Sequence, residues 1–175
     1  QEMASARDYE GYDSWQSALW HDATLSPQHP QDEPTWHHFE DLDLAVSRTG
    51  WHPDAAVAAL KCGPPLGHAG IGHVREMDEA SMGAGHDNPD ANAVYFWADG
   101  GWRIGDPAAY THDKETAHEN TVKIGGCDQL GRAEWFAGEQ YIDLPHQPHL
   151  LRVQSTDVAT LAEGEAAPAY PGEAG

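Results

Sequence analysis

Apolar side chains recur every three or four residues through the first third of the chain, then in short runs and alternations through the remainder. In residues 8–22, Tyr12, Trp15, Leu19 and Trp20 fall at helical spacing, which predicts a first helix weakened at its start by Gly11. Residues 26–34 hold Pro27, Pro30 and Pro34 and read as a linker, because proline at that density suits neither helix nor central strand. Residues 35–50 place Trp36, Phe39, Leu42 and Val46 on one helical face, with Gly50 where a C-terminal glycine cap belongs. Residues 52–63 predict a further helix. Pro53 stands at its start, alanines fill its middle, and Gly63 follows its end.

Beyond residue 63 the pattern changes. Residues 92–106 are two short apolar strands about Asp99-Gly100-Gly101, a hairpin signature. Residues 121–126, 132–144 and 149–153 continue in strand-like fashion, broken at Gly138 and Pro145, and residues 155–161 fit a strand or a short helix. The last stretch, AEGEAAPAYPGEAG, reads by composition as a flexible tail. The expected architecture is α+β, with two or three N-terminal helices packed beside an antiparallel sheet of about five or six strands. Its expected parts are an N-terminal helix and linker (1–34), a single α+β domain (35–161) and a Gly/Pro/Ala-rich tail (162–175).

Composition narrows the partners more than the fold. The chain has 9 basic and 29 acidic residues, a net charge of −20, with acids spread along its whole length. Nucleic acid is excluded as a partner, since neutralising phosphates needs clustered Lys and Arg. Anionic membrane surfaces are disfavoured for the same reason, and no apolar run approaches the twenty or so residues of a membrane span. Other protein subunits, cations and neutral ligands remain. The chain starts at Gln1, which is read as the removal of a secretory leader, so an exported protein is expected. Cys62 and Cys127 fit that location as one disulfide, whose loop would stabilise by about 4 kcal/mol on the entropy model.

Candidate chemistry centres on KCGPPLGHAGIGHVREMD, residues 61–78. Its bland reading is a glycine-rich connection from helix to sheet. Its sharper reading is a divalent metal site, zinc for example, built from His68 and His73 with Glu76 or Asp78, in which an open position would activate water. The loop HDNPDAN (86–92) offers Asp87, Asn88, Asp90 and Asn92 as oxygen ligands for calcium, without the EF-hand register. Trp97, Trp102, Trp135 and Tyr141 are candidates for a sugar-stacking surface, against the commoner role of core packing. There is no Gly-x-Ser-x-Gly elbow and no recognisable cysteine nucleophile motif. The leading expectation is therefore a non-catalytic, acidic binding or structural component of a larger, exported assembly. A metal-dependent enzyme using His68 and His73 and a carbohydrate-binding module are the alternatives.

Overall fold

A computed structural model describes residues 22, 24, 26, 29–77, 87–105, 114–132 and 136–172. The chain divides into two compact units, 1–32 and 33–175. In the first, the Asp22 carboxylate accepts from the backbone N–H and hydroxyl of Thr24 at 2.9 and 2.6 Å, and Pro30–Asp32 form a 3₁₀ turn. The helix predicted over 8–22 lies outside the described residues.

The second unit is mostly β. Its described residues form one α-helix and seven strands in two antiparallel sheets of five and two strands, which overturns the expected packing of two or three helices beside a sheet. The larger sheet runs in simple meander order: β1 (Trp36–Phe39), β2 (Leu44–Arg48), β3 (Val57–Lys61), β4 (Ala93–Ala98) and β5 (Gly101–Ile104). The helix α1 (Gly67–Met77) separates β3 from β4. The hairpin β6 (His149–Ser155) and β7 (Thr160–Glu165) makes the second sheet.

Two of the predicted helices are strands, and each reversal has a cause. Residues 35–50 fold as β1, a turn and β2. Leu42 N–H bonds to Phe39 O at 3.1 Å and Asp43 N–H to Glu40 O at 3.3 Å, while Asp43 takes φ +45°, which ends any helix there. The apolar spacing that mimicked a helix is split across the turn. Residues 52–63 place Pro53 in a turn closed by Ala55 N–H to His52 O, and the alanine run enters β3, hydrogen-bonded on both sides by β2 and β4. Alanine's helix preference is a few tenths of a kcal/mol per residue, which two ladders of backbone bonds outweigh.

The β4–β5 hairpin matches its sequence signal. Asp99 (φ +49°) and Gly100 (φ +73°) form the two-residue turn, with Ala98 paired to Gly101. Residues 149–153 are indeed strand. Residues 121–126 instead make an isolated bridge between Ile124 and Cys127, and 132–144 contain a 3₁₀ helix, Ala137–Tyr141, rather than a strand. Residues 162–165 complete β7, and beyond them Ala166, Ala169 and Tyr170 are buried in the core.

One face of the large sheet is turned to this core. Ala45 and Leu60 pack there with Leu150, Val153 and Ala162 of the hairpin, and with Ile71, Tyr141, Ala169 and Tyr170. The helix is held by tertiary contacts more than by its own sequence, which includes Gly67, Gly70 and Gly72. Asp41, in the β1–β2 turn, accepts Ala69 N–H on its carboxylate (2.6 Å) and His68 N–H on its carbonyl (2.9 Å), capping the first turn from outside. Arg75 ties the last turn to the carbonyls of Ile142 and Leu144, while Ile71 and Val74 are fully buried.

Candidate functional site

Among the described residues, His68, His73 and Glu76 do not converge. His68 and His73 lie five positions apart on α1, about 140° around its axis, so they point to different sides. His68 turns to the β1–β2 turn, whereas His73 and Glu76 are exposed. Asp78 lies outside the described residues. Among the described residues no group of three His, Cys, Asp or Glu side chains is arranged to hold a metal. Cys62 is buried and Cys127 exposed, and both are free, so the expected disulfide is not formed.

The described residues of the loop considered for calcium are held by internal bonds. Asp87 accepts the N–H groups of Ala137 (3.2 Å) and Gly138 (2.9 Å) and pairs with buried Lys114. Asp90 pairs with Lys61, and Asn88 donates to Glu119 at 3.2 Å. Asn92 donates to Gly164 O at 3.4 Å, and the Gln129 amide clasps both backbone groups of Ala91. All three lysines of the chain are consumed in this way, since Lys123 pairs with Asp128 at 3.0 Å. Burial works to raise the Asp128 carboxyl, but Lys123 and Arg132 hold it below its ordinary value.

Cysteine chemistry is disfavoured at Cys62. Burial, foremost, and the neighbouring Asp43 charge push its thiol up to about 11, so it is protonated near neutrality and shielded from solvent.

A carboxylate–imidazole centre that spacing did not reveal lies where the β1–β2 turn meets α1. The Asp43 carboxylate, 8% exposed, accepts from His38 Nε2 at 3.2 Å and from His68 Nε2 at 2.6 Å. A carboxylate acceptor requires each Nε2 to carry its proton, which leaves each Nδ1 as an acceptor when the ring is neutral. His38 also lines a groove of about 480 Å³ with Trp36, Glu40 and Val153. The arrangement orients two imidazoles, yet among the described residues no hydroxyl or thiol bonds to either one. It has the orienting half of a nucleophilic triad without the nucleophile. A His-His pair one strand before an acidic turn was the sole sequence signal for it.

The proposed sugar-stacking residues are also divided. Tyr141 is fully buried, Trp135 lies outside the described residues, and Trp97 meets Trp102 edge-on at 5.5 Å and 85°. A second groove, of about 440 Å³, opens where the β6–β7 turn stands over the large sheet, lined by Ser47, Arg48, Ala58, Phe96 and Thr160 among others. Serine and threonine on a strand carry no sequence pattern that marks such a place. No helix of the described residues is long and apolar enough to cross a membrane. Compared with known proteins, the chain matches no protein-family model, no curated protein and no solved structure.

Proposed function

We propose that this chain is a non-catalytic, acidic binding component of a larger assembly, and that it meets its partner through the outer face of the five-stranded sheet. The observation that carries this reading is the character of that face. Strand alternation puts Phe39, Val46, Val57, Tyr95, Trp97 and Trp102 on the side opposite Ala45 and Leu60. None of the six belongs to the core cluster, and Phe39 and Trp102 are 46% and 63% exposed. Four of the six are aromatic and share the face with His37, Arg48 and Lys61, and aromatic side chains left outside a core on a sheet face mark an interaction site. Both outer strands, β1 and β5, also lack a further strand partner among the described residues, which leaves main-chain groups able to extend the sheet.

Charge selects the partner. Two copies of a chain carrying −20 repel one another, so the reading favours a less acidic or cationic subunit. The paired lysines and the internally bonded aspartates of the 87–92 loop support a structural rather than catalytic use of the polar groups.

Native mass spectrometry of the full-length protein from its own source tests the proposal. A hetero-complex that dissociates when Phe39→Arg and Trp102→Arg are introduced is the expected result. A monomer persisting at about 100 µM under gentle conditions, where an interface of ordinary size remains formed, overturns it.

A further inference from the structure

The ladder register of the large sheet lines up one transverse row of side chains: Trp36, Ser47, Ala58, Phe96 and Ile104, one from each strand. Trp36, Ser47, Ala58 and Phe96 project from the face that carries the core, and a register shift in the β4–β5 ladder lets Ile104 pair with Phe96 while Trp102 pairs with Trp97 on the opposite, outer face. Ser47 and Ala58 are the smallest members, so the row dips between the indole of Trp36 and the ring of Phe96. Those two residues are three strand spacings, about 14 Å, apart. The β6–β7 turn overhangs the dip and leaves the groove of about 440 Å³.

Its lining is distinctive in chemistry. Hydroxyls come from Thr35, Ser47, Thr49, Ser155, Thr156 and Thr160. Ser47 Oγ donates to Thr160 Oγ1 at 3.0 Å, and Ser155 Oγ lies 2.9 Å from the same oxygen, so a chain of hydroxyls joins the sheet to the hairpin. Phe96 supplies an aromatic ring. Arg48 is set in place by Gly50 O (Nε to O, 2.7 Å) and by the face of Trp51, 3.7 Å from its guanidinium carbon. Arg48 and Asp157 are the charged residues that border the groove, and Arg48, paired with Val57 in the ladder, sends its side chain from the opposite face of β2.

We propose that this groove binds a neutral saccharide. Three other ligand classes fail on the lining. A phosphate or nucleic acid needs clustered cations, and the lining holds no more than one arginine. An acyl chain needs apolar walls, and these walls carry hydroxyls. An extended peptide is recognised through a free sheet edge, whereas the floor here is the middle of the sheet, where β2–β4 bond to one another. A sugar matches what remains: C–H groups for the Phe96 ring, and hydroxyls for side chains that both donate and accept. The volume falls within the usual range of small-ligand sites. The site uses none of the six outer-face side chains and stands independently of the assembly role.

Isothermal titration of the full chain against soluble neutral oligosaccharides (gluco-, manno- and xylo-series) and an acidic uronate oligosaccharide tests it. Ala58 is exposed on the groove floor, so Ala58→Gln fills the dip without disturbing the core. The expected result is saturable binding of a neutral series, weakened at least tenfold in Ala58→Gln and insensitive to salt, with an unchanged thermal midpoint. Thr160→Val should weaken binding as well. No heat with any neutral series at millimolar ligand overturns the proposal. So does binding untouched by Ala58→Gln, or binding confined to the uronate and abolished by salt.

Discussion

The buried carboxylate of Asp43 accepts the Nε2 proton of His68 across 2.6 Å, joining a hairpin turn to the first turn of the single described α-helix. The same aspartate holds His38 of β1 and, through its main-chain oxygen, the N–H of Cys62 at 2.9 Å. One residue thus fixes the turn, the helix start and the exit from β3.

Asp43→Ala removes both imidazole partners and puts alanine at φ +45°, so it should cost about 2–4 kcal/mol in urea unfolding. Asp43→Asn keeps an acceptor and a residue tolerant of that φ, and should cost about half as much. Equal losses for the two variants would show that the carboxylate contacts contribute nothing and the turn alone matters.

Alkaline pH should unfold the protein in a defined window. An unfolded Cys62 thiol ionises near 9.0, while in the folded chain burial keeps it protonated to about 11. Below pH 9 both states hold the proton and stability is unaffected. Between 9 and 11 the unfolded chain alone releases it, so stability falls by about 2–3 kcal/mol. Tyr141, raised above 10.0 by burial first and by Asp90 next, adds a loss of the same sign beyond pH 10. Urea midpoints measured from pH 8 to 11 should show this decline, and Cys62→Ala should flatten its first part. Thiol titration at pH 8 should find Cys127 reacting at once and Cys62 only after denaturant.

Two glycine substitutions should act in opposite directions. A Cβ on Gly63 would press into the Leu42 carbonyl, whose carbon lies 2.7 Å away, so Gly63→Ala should destabilise by about 2–3 kcal/mol. Gly72 sits in α1, and a Cβ there would meet nothing within 4 Å. Gly72→Ala should therefore stabilise by about 0.5–1 kcal/mol through helix propensity. Thermal unfolding of both variants is sufficient to check the contrast.

Asp87→Ala should be among the most damaging changes in the 87–92 loop. It removes the acceptor of two N–H groups and one ion-pair partner of Lys114, at a cost of about 2–4 kcal/mol. Because Asp87 and Asp90 already have internal partners, chelator or added calcium should move the melting midpoint by no more than about 1 °C. A calcium-dependent rise of several degrees would restore the loop as an ion site.

The legible parts of the fold were those governed by local geometry. Asp99-Gly100 can reverse the chain with two residues because both tolerate positive φ, and β4 and β5 follow from that turn. The run at 149–153 is strand, as its pattern predicts. The candidate site was less legible. His68 and His73 share eighteen glycine-rich positions, yet once Asp41 caps the segment into a helix they face apart. His38 and Asp43 became neighbours of His68 only when two elements 25 residues apart were brought together.

By itself the sequence determined the acidity that argues against nucleic acid, the β4–β5 hairpin and the absence of a long apolar span. Tertiary structure alone decided that residues 35–63 are strands, that the glycine-rich stretch is helical, and that Asp43, Ser47 and Phe96 acquire their neighbours. The reason is energetic. Over four to six residues, helical and strand spacings of apolar side chains overlap, and intrinsic preference differs by tenths of a kcal/mol, whereas ladder bonds and burial against distant segments supply far more.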